Sequence, residues 1–360
     1  MMVSRSMVAM LVGALGIACA GSGVSASHAM ARHEAMPEAA PALRSGARPW
    51  WSAFGSETLN ALIVDAGRGA TASSDLDAPA AEIGISAAYV ALVVQTLQLT
   101  YIESALTAVR RQSQLVAASP ALHDDFAREL KRREAGAAAA VKKVEAQRQT
   151  NLAFLVARCG LSEEALNQAI ADEVAQRRLP RFAASLPQAV PTALLANRDD
   201  IQLAASLYGI EPRALLAGTI DATEDAGEND PPADADLPGA PLFPQVVAQG
   251  RAEVAEALRR LQASNHMAAD ATRRTHEAKD EFERSKAQMS RGEMSEVRML
   301  EDFQGLMLDQ QRMAAANGEL AIAWIALVAS LGSRTPVLLR GSPVPEATAF
   351  RARPGLVGSF

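Results

Sequence analysis

The sequence predicts an all-α protein built as two long, antiparallel, coiled-coil-like helical hairpins, and three observations predict it. Half of the 360 residues are hydrophobic (49%) but only 4% are aromatic, and alanine supplies much of the apolar fraction. Such a composition suits closely packed helices better than a sheet sandwich. A sustained heptad runs from Val246 to Leu331, and the chain repeats its own pattern in two unequal halves.

The second half carries the clearer signal. Val247, Val254, Leu261, Ala268, Thr275, Phe282 and Met289 recur every seven residues, interleaved with Ala257, Ser264, Ala271, Ala278 and Ser285. After Arg291-Gly292-Glu293, the residues Leu300, Phe303, Met307, Gln310, Ala314, Asn317, Ala321, Trp324, Val328 and Leu331 continue the spacing up to Gly332. Two arms of roughly 40 residues, about 60 Å each at 1.5 Å per residue, are therefore expected to fold back on each other at Gly292. Glycine permits the positive φ such a reversal needs, and Ser295 is placed to cap the returning helix.

The N-terminus reads as an export signal over 1–29. Arg5 gives the charge, Met7 to Ala18 the apolar core, and Val24-Ser25-Ala26 or Ser27-His28-Ala29 the small-residue cleavage site. Cys19 follows Gly16-Ile17-Ala18, an imperfect lipoprotein box, so lipidation at Cys19 stands beside ordinary cleavage further on. Either way Cys159 is left without a disulfide partner, and its apolar neighbours predict a buried thiol. Residues 30–55 read as an extended arm ending in Trp50-Trp51-Ser52-Ala53-Phe54, an aromatic cluster expected to pin the arm to the helices. Ser56-Glu57 opens a short helix through Leu59, Leu62 and Ile63.

Residues 56–170 form the first helical repeat. Ile83 to Ile102 is uncharged, as a membrane span would be, but Gln95, Thr96, Gln98 and Thr100 interrupt it and the heptad continues into Arg110-Arg111-Gln112. The reading favoured is a buried bundle helix. Ser119-Pro120 marks the next helix start. Phe126 and Gly136 are spaced like Phe282 and Gly292, which places the first hinge at Gly136 and leaves its return arm, up to Gly160, shorter than the arm up to Gly332. A linker is expected over 171–196, the second repeat over 197–332, and a C-terminal tail over 333–360. Within the second repeat the stretch 221–244 is expected to be irregular. It concentrates Asp221, Glu224, Asp225, Glu228, Asp230, Asp234 and Asp236, which exceed the chain's net charge of −6. The remainder is near neutral and offers no basic face for nucleic acid.

Catalytic chemistry is not written in the sequence. His28, His33, His123, His266 and His276 never lie three or four residues apart, so none forms a helical metal pair. A phosphate loop, a nucleophile elbow and an isolated pair of carboxylates are all missing from the sequence, and no enzyme activity or cofactor is expected. The acidic stretch lacks the glycine and terminal glutamate of a calcium loop.

Three motifs in order carry a family resemblance. Trp50-Trp51-x-x-Phe54-Gly55 with Leu59, Leu62 and Ile63 resembles the opening of the outer-membrane efflux channel family, the TolC-like or NodT-like channels. Leu186-Pro187 followed by Arg198-Asp199-Asp200-Ile201 resembles its Arg-Pro-Asp-Ile start of the second repeat. Gly292-x-x-Ser295 with Leu300, and Ala326-Leu327 with Leu331-Gly332, resembles its last hairpin. The resemblance implies a trimeric tunnel of helices working with a periplasmic adaptor and an inner-membrane pump, each protomer adding two strands per repeat to a barrel. Here the sequence departs. A spanning strand needs about 9–11 alternating residues, and neither Ala70 to Ala88 nor Tyr208 to Val246 alternates or carries an aromatic girdle. The barrel strands are expected to be missing from both repeats. Asp199 and Ser206 also replace the family's Pro and Glu.

Two functions follow from this pattern. One is a barrel-less component of a tripartite efflux or type I secretion system, docking through Arg291, Gly292, Glu293 and Ser295 and through Gly136. The other is a periplasmic helical scaffold with no transport role, in which the same residues only make turns.

Overall fold

A computed structural model describes residues 49–69, 78–118, 124–175, 186–223 and 240–332. The expected signal segment with Cys19, the residues expected as an arm before Pro49, most of the acidic stretch and residues 333–360 lie outside the described residues.

Among the described residues, six helices, two short strands and two short turns of 3-10 helix precede the long second hairpin. In chain order the elements are α1 (Glu57–Gly69), α2 (Ala78–Ala117), α3 (Asp124–Cys159), α4 (Glu163–Ala175), β1 (Ala189–Pro191), α5 (Asp199–Leu207), α6 (Pro212–Leu215), β2 (Thr219–Asp221), α7 (Leu242–Ser290) and α8 (Glu296–Ser330). The all-α expectation holds: among the described residues the only sheet is the antiparallel pair β1–β2, with Val190 opposite Ile220.

The four long helices lie in a row, α3–α2–α8–α7, with α2 and α8 inside. Their directions follow from paired side chains at both ends. Arg110 meets Glu134 at 2.9 Å and Asn151 meets Gln95 at 3.0 Å, so α2 and α3 are antiparallel. Arg260 with Glu319 at 3.5 Å, and Ser285 with Asp302, make α7 and α8 antiparallel as well. Arg111 donates to Glu296 at 2.7 and 3.2 Å, tying the end of α2 to the start of α8. Both chain reversals therefore lie at one end of the row, and the short elements gather at the other.

The row explains the sequence pattern. Ile83, Ile85 and the run from Ala87 to Gln95 are buried because α2 is flanked by α3 and α8 and covered at its base by α1 and α4. α2 and α8 are each long and apolar enough to cross a membrane, and both are the inner helices of the row. The outer helix α3 instead exposes Arg128, Lys131, Arg132, Lys142 and Lys143. Every seam position expected along α7 and α8 is buried or half-buried. At the base, Trp50 and Phe54 are buried with Leu59, Leu62 and Ile63, and Trp50 meets Trp51 edge-on at 5.7 Å, so the aromatic cluster is the expected staple. Ser56 caps α1 and joins a polar knot with Tyr89 and Glu173 (2.8 and 2.7 Å) that ties α1, α2 and α4 together.

Several boundaries differ from the expectation. Gly136 is not a hinge. It lies inside α3, exposed, and α3 runs unbroken from Asp124, so the reversal falls between Ala117 and Asp124. Glycine inside a helix costs about 1 kcal/mol, which the alanines on either side and the packing of α3 on α2 outweigh. The match of Phe126 with Phe282 paired opposite arms, since Phe126 is on the return helix α3 and Phe282 on the outgoing helix α7. The return helices α3 and α8 are nearly equal, at 36 and 35 residues, and the difference lies in the outgoing α2 and α7, at 40 and 49. α4 carries the first repeat past residue 170, its start capped by Ser162. The stretch 171–196 holds the end of α4, β1 and most of a 3-10 turn, Thr192–Asn197. α2 opens at Ala78, ahead of the uncharged run that begins at Ile83. Only eight residues then separate it from α1, fewer than the roughly 9–11 of one spanning strand.

Cys159, expected to be buried, is 7% exposed, and burial together with the Asp65 charge pushes its thiol up to about 11. At pH 8 a thiol of ordinary pKa is about a quarter ionised, so the native thiol should react with iodoacetamide more than about 100-fold slower than the unfolded one. Labelling a Cys19→Ser chain with and without urea tests this. Equal rates would mean that Cys159 is open to solvent.

Candidate functional site

The strongest sequence-predicted site is the reversal between α7 and α8. α7 ends in a double reach of backbone N–H groups: Gly292 N–H donates to Met289 O at 2.9 Å and Glu293 N–H to Gln288 O at 3.0 Å. This closure satisfies the last carbonyls of α7 and requires a left-handed residue, which Gly292 supplies at φ +76°. A Cβ on Gly292 would meet no atom within 4 Å, so conformation rather than space demands glycine.

Arg291 and Glu293 flank that glycine and form a two-pronged pair, Nε to Oε1 at 2.8 Å and Nη2 to Oε2 at 2.9 Å. Both side chains are more than half exposed, and the carboxylate raises the Arg291 guanidinium above its ordinary value. Solvent screening leaves such a pair little effect on stability. Ser295 begins α8 as expected, its Oγ accepting from Arg298 N–H at 3.3 Å. Glu296 follows in the first turn, where the helix dipole favours an acid, and reaches Arg111.

Beneath this charged cap lies a small apolar cluster in which Phe282, Met299, Leu300, Leu306 and Met307 pack with Ala108 of α2. Buried Gln112 crosses the seam between the hairpins, donating to Val297 O at 2.7 Å and accepting from Gln304 at 2.6 Å. A buried amide so satisfied fixes the register of α2 against α8. The structure therefore brings Arg291, Gly292, Glu293 and Ser295 together at the exposed end of the row and keeps Gly136 out of the group. Among the described residues no cluster of three or more His, Cys, Asp or Glu is positioned for a metal. What the tip offers is a closed turn that carries two exposed opposite charges.

Sequence reading missed a second polar centre at the base. Arg198, 7% exposed, donates to Asp200 at 3.0 and 2.7 Å and to Ser330 O at 2.9 Å, and pairs with Glu253 at 2.8 Å. It joins α5, α7 and the end of α8. The Arg198-Asp199-Asp200-Ile201 motif was visible as a resemblance, but nothing local announced that its arginine would be buried.

No protein-family profile matches the sequence, and no curated protein is similar to it at a significant level. Solved structures do resemble the fold. A structure of CusC, which describes conformational changes accompanying folding and transmembrane channel formation, superposes with a TM-score of 0.50 at 14% identity, over 79% of this chain and 94% of that one. VceC, an outer-membrane protein of Vibrio cholerae, gives 0.47 at 14% identity over 91% and 90%. The Campylobacter jejuni outer-membrane channel CmeC gives 0.47 at 12% identity over 79% and 66%. The chain thus shares the helical fold of the CusC structure, as its motifs implied.

Proposed function

We propose that this protein is an exported, barrel-less component of a tripartite efflux or type I secretion assembly. The observation that carries the reading is the open row of four helices with both reversals at one end. Beyond the base, among the described residues, no long helix covers the far side of α3 or α7. Each outer helix is left as an edge on which a second copy can pack, and a closed ring of such rows, a trimer by resemblance, is a tunnel. Its tip, Arg291 to Ser295, would dock on a periplasmic adaptor linked to an inner-membrane pump, and its place would be the periplasm or the inner side of the outer membrane.

Charge reversal at the tip tests the docking. Glu293→Arg and Arg291→Glu alter exposed side chains and should leave the melting temperature where it is. Each should weaken co-purification with the adaptor, and the double exchange, which restores the pair but inverts its direction, should not restore it. Unchanged co-purification by all three with a confirmed adaptor would leave the tip as a turn only. The eight-residue link between α1 and α2 leaves the first repeat no length for a pair of spanning strands, which fits a barrel-less component and equally the second reading, a scaffold without transport. Crosslinking in intact cells, read for trimers and for adaptor adducts, separates the two.

A further inference from the structure

Two of the most exposed large apolar side chains stand together on one short helix. Leu203 and Leu207 are 61% and 64% exposed, while Ile201, Ala204 and Ala205 of the same helix α5 enter the core. Four residues apart, the two leucines form a single stripe on the outer face of α5. Leu215 of the adjoining α6 is also exposed, at 46%. A contiguous apolar stripe beside a polar surface marks a contact site.

The path of the chain points to its occupant. α8 ends at Ser330, and the chain leaves the helical row immediately before α5: a Cβ on Gly332 would lie 2.5 Å from Asn197 O and 2.9 Å from Arg198 N. The sequence then runs Ser333-Arg334-Thr335-Pro336-Val337-Leu338-Leu339-Arg340. Leu338 is six residues past Gly332 and can reach up to about 20 Å. Leu203 and Leu207 lie only about 8 and 13 Å along the axis from Arg198. The run is apolar in its middle and basic on both flanks, while α5 begins with exposed Asp199 and is followed by exposed Glu211.

We propose that Val337-Leu338-Leu339 docks on the Leu203–Leu207 stripe of the same chain, with Arg334 and Arg340 over the acidic residues that bracket it. The short tether places the run at a high effective concentration over α5, ahead of any second copy. The docked tail would cover the apolar face of the base and hold the end of α8 against α5.

A cysteine pair tests this in the otherwise intact chain. In a Cys19→Ser background, Leu207→Cys with Leu338→Cys should give an intrachain disulfide on mild oxidation, identified by mass spectrometry of the linked peptides. A tether alone could bring the thiols together, so the deciding comparison adds Val337→Asp and Leu339→Asp, which should lower the yield at least tenfold. A second pair, Glu277→Cys on α7 with Leu338→Cys, should not link. A yield unaffected by the aspartates, a disulfide joining two chains, or no disulfide would each overturn the proposal. None of these outcomes depends on whether the protein serves an efflux system.

Discussion

Gly318→Val should destabilise the protein by about 3 kcal/mol, an effect expected where a helix pair has no room for a larger residue. At this point α8 crosses α2 so closely that even a Cβ would lie 2.8 Å from Val94 Cγ2, and Val94 is fully buried. A valine side chain has only short, stiff branches, so Val94 cannot swing aside as a long side chain would. Gly318→Ala should be much milder, because the better helix propensity of alanine, worth about 1 kcal/mol, offsets part of the clash. The contact can be isolated with Val94→Ala. The double variant Gly318→Ala/Val94→Ala should be more stable than the two single effects added together, since the small residue at 94 vacates the space the new methyl needs. Urea denaturation of the four chains measures the coupling. Strict additivity would show that the two helices do not meet at these residues.

That crossing marks the limit of what heptads can tell. The seam of α7 and α8 was legible because its residues recur at a fixed period, and Gly292 and Gly332 because each ends a periodic run; both adopt positive φ. Gly318 breaks no pattern and follows no turn signal, and its role depends on Val94, more than two hundred residues away. The same reason hid Arg198, whose partners Glu253 and Ser330 come from α7 and the end of α8, 55 and 132 residues further along the chain, rather than from its own segment. Gly136 shows the opposite error. A glycine ten residues past a phenylalanine looked like a hinge by analogy with Gly292, but Gly292 is followed by the helix cap Ser295, whereas Gly136 is followed by a run of alanines that propagates the helix. The candidate tip was legible to the extent that it is local: the turn, its cap and its two charges lie within five residues. The attachment of that tip to the first hairpin, through Arg111 with Glu296 and Gln112 with Gln304, required the fold.

Arg198→Met should cost about 2–3 kcal/mol, although methionine fills much the same volume. The guanidinium is nearly buried and holds two carboxylates and the Ser330 carbonyl at the end of α8. Removing one member of a buried ion pair leaves its partners without compensation, at a cost of about 3–5 kcal/mol when they too are buried. Here Asp200 and Glu253 are 40% and 34% exposed, so water can replace part of the lost interaction and the lower figure applies. The pH dependence follows with a definite sign. Burial pushes the Asp200 carboxyl up, but the hydrogen bonds and charge of Arg198 outweigh it and hold it below its ordinary value of 3.8. A carboxylate so depressed stabilises the fold at pH values above 3.8 and loses that contribution as the pH falls through the folded value. The gap in stability between the native protein and Arg198→Met should therefore be wide at pH 7 and should close progressively as the pH falls below 3.8 through the depressed folded value, read from urea midpoints across that range. A gap that stays constant with pH would mean that Arg198 contributes through packing and its bond to Ser330 alone. Glu253→Gln, which keeps a hydrogen-bonding side chain at a more open position, should cost less than about 1 kcal/mol. The order of the two variants tests whether the arginine, rather than either carboxylate, is the member whose loss the fold cannot absorb.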